Sequence, residues 1–294
     1  MTSATRDHEI DVTDEAYLVH GATQLLARHY RPRGAGPFPM MIELHGGAWC
    51  SNDRLRDVTI NEPLARSGVM VAALDFRMPP LASYPASVSD INYAVRWLKT
   101  NAARLGGDAR RVGIAGTSSG GHLAALVAMK PFDETYSSLA GEKDDPAIDA
   151  TVSCVVMGWP VIDPLGRYLY AERLKAAGGS YPPFVDQVLE PHRAYWQSEA
   201  SMAEGSPLMI LERAEAVHTP PMLCVQGAAD LAHPRPQLDA FAARYRAAGG
   251  TIDVRLFDGQ EQSFMLQDPA SPASKQAMAE IVRFVHATLG GGAA

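Results

Sequence analysis

Six short runs of nearly uninterrupted apolar residues punctuate the chain: Phe38–Leu44, Val69–Phe76, Val112–Ala115, Thr151–Trp159, Pro221–Gly227 and Thr251–Phe257. Runs of this length and composition predict strands covered on both faces. Between them apolar residues recur at helical spacing, as in Val88, Ile91, Ala94, Val95 and Leu98, which predicts an amphipathic helix over 88–105. Further helices are predicted over 53–67, from Gly121 onward, over 237–248 and over 274–289. Two more strands, 15–20 and 23–32, flank a turn at Gly21. Residues 1–14 read as a loosely attached arm. Strands alternating with helices predict a mostly parallel sheet in one α/β domain, with active residues at the carboxyl ends of the strands.

The alternation lapses twice. Residues 130–149 form a polar connection. Residues 163–207 carry Tyr168, Tyr170, Tyr181, Phe184, Tyr195 and Trp196 between Gly and Pro breaks, and read as a cap inserted in the domain.

Composition narrows the possibilities without choosing among them. The chain has 294 residues, 47% hydrophobic and 20% charged, and a net charge of -7 without a basic cluster. This argues against nucleic acid or an anionic membrane surface as partner. The N-terminal stretch is polar and acidic, unlike a signal peptide, and no apolar run spans a membrane, so cytoplasmic residence is the default expectation. Cys50, Cys154 and Cys224 lack metal-ligand spacing, and Cys154 and Cys224 fall within apolar runs as small buried hydrophobes. A homo-oligomer is left open.

The candidate chemistry centres on Arg111–Met129. Val112–Ala115 leads into Gly116-Thr117-Ser118-Ser119-Gly120, a G-x-S-x-G, and then into a helix rich in Ala, Leu and Val. A serine in a strand-turn-helix of this kind projects its hydroxyl above the strand ends beside the unpaired N–H groups of a helix start. Ser118 is the candidate nucleophile. His45-Gly46-Gly47-Ala48 follows another strand, and its small residues let backbone N–H groups face a substrate. Gly47 and Ala48, with Gly46 as an alternative, and Ser119 are the candidate oxyanion donors. His45 and His122 read as structural side chains. Asp230 ends Gly-Ala-Ala-Asp just past a late strand and is the candidate acid.

These segments together resemble the α/β-hydrolase superfamily, in the branch of hormone-sensitive-lipase-like and bacterial feruloyl-esterase-like carboxylesterases. The residues that carry the resemblance are HGGAW at 45–49, DFR at 75–77, YPASVSD at 84–90, the stretch 96–126 and GAAD at 227–230. The resemblance implies an eight-stranded, mostly parallel sheet with helices on both faces and a small cap. It implies hydrolysis of a small carboxylic ester through an acyl-enzyme, without cofactor or metal. An apolar or aromatic substrate part would face Trp49, Trp159, Tyr195, Trp196 and the cap tyrosines. Ester, carbamate and amide substrates are not distinguished.

One position departs from the family pattern. The usual Gly-x-x-His-x-Phe after the last strand is here Gly259-Gln260-Glu261-Gln262-Ser263-Phe264, with Gln262 at the histidine position. An amide cannot take a proton near neutral pH, so with Gln262 as the third catalytic residue Ser118 lacks a base. Loss of a triad histidine costs roughly 10⁶-fold in kcat. The expectation is a nearly inactive or substrate-trapping esterase. The alternative is a protein that has given up hydrolysis for small-molecule binding or elimination chemistry. Of the nine histidines only His233 and His286 follow Asp230. His286 reads as a helix residue. His233 lies on the same loop as Asp230, and the order Ser118, Asp163, His233 stays open, because some members take the acid from an earlier strand.

Overall fold

The computed structural model describes residues 7–141 and 148–290. Its eight strands are β1 (Ile10–His20), β2 (Thr23–Pro32), β3 (Phe38–Leu44), β4 (Met70–Leu74), β5 (Gly107–Thr117), β6 (Val155–Gly158), β7 (Met222–Gly227) and β8 (Ile252–Phe257). They form one sheet in the order β1-β2-β4-β3-β5-β6-β7-β8. β1 and β2 pair antiparallel, as do β2 and β4, and every later neighbour is parallel. This is the sheet that the resemblance implies.

The apolar runs are continuous because both faces of the sheet are covered. Met40, Ile42 and Leu44 of β3 point into one core, and Met41 between them points into the other. The first core is closed by α2 (Ala86–Leu105), α3 (Ser119–Met129) and α8 (Arg235–Ala247). The second is closed by α1 (Val58–Arg66), α9 (Phe264–Gln267) and α10 (Pro272–Leu289). Between β6 and β7 the chain leaves the sheet for α4 (Pro164–Ala176), α5 (Phe184–Trp196), α6 (Glu199–Glu204) and α7 (Pro207–Glu212).

Two local expectations need correction. Residues 10–14, expected in a loose arm, belong to β1, where Ile10 pairs with Pro32 and Asp14 with Arg28. The alternation there is weak because that edge of the strand is largely exposed, so the ladder rather than burial fixes it. The helix expected from Asp53 starts only at Val58. The Asp53 side chain accepts from the Leu55 N–H at 2.8 Å and holds a turn in front of it. Residues 1–6 of the expected arm, and 142–147 of the polar connection, lie outside the described residues.

The close approach of α3 to the end of β3 positions the centre of the fold. A Cβ on Gly120 would meet the carbonyl oxygens of Leu44 and His45, which are backbone and cannot swing away. Gly120→Ala is therefore expected to destabilise the protein by about 1 to 3 kcal/mol through overpacking, read as a lower thermal midpoint. An unshifted midpoint would mean that α3 and β3 can separate at no cost.

Candidate active site

Ser118 closes β5 and caps α3 with φ 50° and ψ -116°. Non-glycine residues rarely adopt such a backbone, and here packing on both sides enforces it. The Ser118 N–H donates to the Gly158 carbonyl at 2.8 Å, and the Ser118 carbonyl accepts from His122 at 3.1 Å and Val161 at 3.2 Å. With its backbone fixed, the hydroxyl stands at the carboxyl end of the sheet.

The imidazole facing it is that of His233. Ser118 Oγ lies 3.2 Å from His233 Nε2, and His233 Nδ1 lies 2.8 Å from Asp230 Oδ2. Both His233 and Asp230 are buried. The loop after β7 supplies both residues. Asp230 Oδ1 accepts from the N–H groups of Ala232 and His233 at 2.8 and 3.1 Å, curling the chain so that the next imidazole reaches Oδ2. Gln226 Nε2 donates to the His233 carbonyl at 2.9 Å and pins the far end of the curl.

The expectation that no imidazole reaches Ser118 is thus overturned. Gln262 does not stand at the base position. It lies on the loop after β8 and lines the same cavity, and its main-chain carbonyl accepts from Gln267 Nε2 at 3.1 Å. The order Ser118, Asp163, His233 is not formed either. Asp163 caps α4, and its Oδ1 accepts from Gly166 N–H and Ser206 Oγ, both at 3.1 Å. The spacing Asp-x-x-His was visible in the sequence. The family pattern instead points to the loop after β8 for the histidine.

A cation enters the site from α4. Arg167 Nη1 lies 3.1 Å from His233 Nε2. A guanidinium has no acceptor, so Nε2 must carry the lone pair and Nδ1 the proton directed at Asp230. Burial, which disfavours the imidazolium, holds the His233 pKa below its ordinary 6.5, and the Arg167 charge pushes it the same way against the pull of Asp230. His233 is accordingly a neutral proton acceptor near neutral pH, in the tautomer that can take the Ser118 proton.

Of the four candidate oxyanion donors, three remain available. Gly46 N–H donates to Thr117 Oγ1 at 3.1 Å, and Thr117 Oγ1 donates to Asp57 Oδ2 at 2.6 Å, so Gly46 serves to anchor the loop. Beneath it Glu43, buried beside Asp57, has its pKa raised well above the ordinary carboxyl range, first by desolvation and then by that neighbour. Gly47 adopts φ 132°, which favours glycine, and Ala48 and Trp49 follow at 49° and 62°. The N–H groups of Gly47 and Ala48 have no acceptor among the described residues. Ser119 opens α3, where a helix leaves its first N–H groups unpaired. His45 stacks on Phe76 at 4.4 Å and its Nδ1 lies 2.9 Å from the Gly46 carbonyl, consistent with a structural side chain. His122 accepts from Trp49 Nε1 at 3.1 Å and directs Nε2 at the Gly205 carbonyl at 2.8 Å, and burial lowers its pKa to about 4.

Of the four aromatic residues expected to face the substrate, one lies in the cavity lining. Trp159 lines the cavity over Ser118, a space of about 220 Å³. Trp49, Tyr195 and Trp196 do not. They stack on one another in the core, with Trp49 and Tyr195 5.4 Å apart and 11° from coplanar, and they fasten α5 to the sheet. Tyr168, Tyr170 and Tyr181 are likewise outside the cavity lining. Residues that the sequence did not single out take their place: Arg56, Arg167, Gln187, Val188 and Pro191, with Phe184 beside them. A larger cavity of about 900 Å³ lies between α1 and α10 and includes none of these groups.

The sheet, the serine on its β5–α3 turn and the facing His233–Asp230 pair define an α/β-hydrolase. Within that class the chain belongs to the BD-FAE family, whose model matches residues 29–244. It is 28% identical to esterase LipC of Mycobacterium tuberculosis over 236 residues, which are 80% of this chain and 55% of LipC. It is 25% identical to the carboxylic ester hydrolase LipN of the same organism over 264 residues, 87% of this chain and 65% of LipN. The chain thus spans a little over half to about two thirds of these relatives' length. Among solved structures, an esterase of Pyrobaculum calidifontis shares the fold with a TM-score of 0.77 at 22% identity, covering 96% of this chain and 86% of the esterase. No helix among the described residues is long and apolar enough to cross a membrane.

The geometry predicts the pH response of Ser118. The rate at which a fluorophosphonate probe labels Ser118 should hold at its plateau down to a pH below 6.5, because His233 resists protonation. Arg167→Met removes a neighbouring cation and should move that acid limb to higher pH. Intact-mass kinetics across pH 4.5 to 8 read both, and an unmoved limb would show that Arg167 does not act on His233.

Proposed function

We propose that the protein is a serine hydrolase of small carboxylic esters that works through an acyl-enzyme, with Ser118 as nucleophile, His233 as base and Asp230 as orienting acid. The observation that carries this reading is the buried line from Ser118 Oγ to His233 Nε2 at 3.2 Å and from His233 Nδ1 to Asp230 at 2.8 Å. In the first step His233 takes the hydroxyl proton as Oγ attacks the ester carbonyl. The oxyanion forms beside the N–H groups of Gly47, Ala48 and Ser119. The imidazolium then returns its proton to the departing alkoxide, and water repeats the sequence on the acyl-enzyme.

The helices α4 to α7 act as a cap in this reading, since Arg167 and residues of α5 roof the cavity. The cavity volume favours short acyl and alcohol groups. Relatives that are esterases support the reaction class. The non-hydrolytic alternative rests on a missing base, and the imidazole of His233 beside Ser118 Oγ speaks for hydrolysis.

Ser118→Ala and His233→Ala are each expected to lower kcat/KM for a short-chain aryl ester by about 10⁴- to 10⁶-fold. Gln262→His is expected to change it by less than about tenfold, as for a residue beside the substrate. Steady-state hydrolysis with matched circular dichroism spectra is the measurement. A gain of several orders from Gln262→His, or near-full activity in His233→Ala, would return Gln262 to the centre of the mechanism.

A further inference from the structure

Arg167 does more than touch His233. Its side chain is buried, and its residue is 2% exposed. Its Nε has no hydrogen-bond partner, and it forms no ion pair with a carboxylate among the described residues. The one favourable charge nearby is Asp230, on the far side of the imidazole. The other neighbours carry no negative charge: the Trp49 ring 5.8 Å below the guanidinium, with His122 and His192, whose pKa values are lowered first by burial and further by the Arg167 charge. Burial draws the Arg167 pKa down to about 10, so the group is charged at neutral pH. A buried cation with an idle donor is costly unless an anion joins it.

The cavity that this cation borders is polar in the side chains it offers: Ser51, Arg56, Gln187, Gln262 and Ser263 share it with Arg167. The same cation also obstructs the reaction. Its Nη1 and Ser118 Oγ compete for one lone pair on His233 Nε2. When His233 takes the serine proton, two positive groups then stand 3.1 Å apart unless one is neutralised.

We propose that Arg167 recognises a carboxylate on the substrate, so that the preferred substrates are small esters carrying an anionic group, such as monoesters of short dicarboxylic acids. A planar guanidinium matches a carboxylate with two parallel N–H donors. The bound anion draws Nη1 away from Nε2, leaves the lone pair to Ser118, and neutralises the charge beside the imidazolium as it forms. This deepens the hydrolase reading and rests on it.

The test compares 4-nitrophenyl hydrogen succinate with 4-nitrophenyl 4-methylpentanoate, which has the same shape without the charge. O-acetylglycolate against isobutyl acetate moves the charge to the alcohol side. The wild-type protein should favour the anionic member of at least one pair by about 10- to 100-fold in kcat/KM. Arg167→Met should bring that ratio close to one, and a circular dichroism spectrum and thermal midpoint matching the wild type show that the variant is folded. Arg167→Lys should recover part of the preference. Equal rates for both pairs in the wild type overturn the proposal, and so does a preference that survives in Arg167→Met. Should no ester be hydrolysed, the hydrolase reading fails. Arg167 is then judged by calorimetry of succinate with the wild-type protein: binding that Arg167→Met abolishes supports the anion site, and no binding overturns it.

Discussion

The site depends on how one carboxylate divides its oxygens. Asp230 turns Oδ1 to two backbone N–H groups and Oδ2 to the imidazole three residues on. The first pair of bonds curls the loop, and the last orients His233 and fixes which nitrogen carries the proton. Carboxylate and imidazole therefore come from a single short loop after β7, and the loop after β8 is left to line the cavity with Gln262 and Ser263. Because the carboxylate is buried, its bonds to the loop are not diluted by water, and the geometry survives the strain that Ser118 carries on the opposite side.

The supports beneath the oxyanion loop follow the same logic. Gly46, Thr117 and Asp57 form a chain of hydrogen bonds under the turn, with Glu43 raised toward its neutral form beside them. This chain consumes the Gly46 N–H and leaves those of Gly47 and Ala48, which line the cavity, without an acceptor among the described residues. The aromatic stack of Trp49, Tyr195 and Trp196 joins the same loop to α5. Tyr195 also meets Ser87 Oγ at 2.5 Å, which ties α5 to α2. Residues expected to hold substrate thus hold the inserted helices in register with the reaction centre.

Arg167 is buried in this arrangement and forms no ion pair with a carboxylate among the described residues. Its place is set from two directions: Asp163 caps α4 one turn earlier, and the Trp49 ring lies under the guanidinium. The first anchor is local to α4, and the second exists only because the insertion packs on the sheet. Under the proposed anion recognition, specificity and reactivity are coupled, because the group that would select an anion is the group that touches His233.

The apolar runs determined the strands, and their continuity determined that the sheet is covered on both faces, because each residue must find a core whichever way it points. The G-x-S-x-G turn likewise carried its own geometry, since the backbone of a strand-to-helix turn is set locally. What the sequence could not convey was which side chain meets Ser118. Gln262 and His233 stand on neighbouring loops after adjacent strands, and only the packing of those loops decides between them. The same holds for Trp49, Tyr195 and Trp196, whose apolar character fits a core as well as a cavity, and for Arg167, whose burial appears only once α4 is laid over the sheet. Local periodicity fixes elements because it is a property of consecutive residues. Partners in space depend on the packing of distant segments, and that is decided only when the chain has closed on itself.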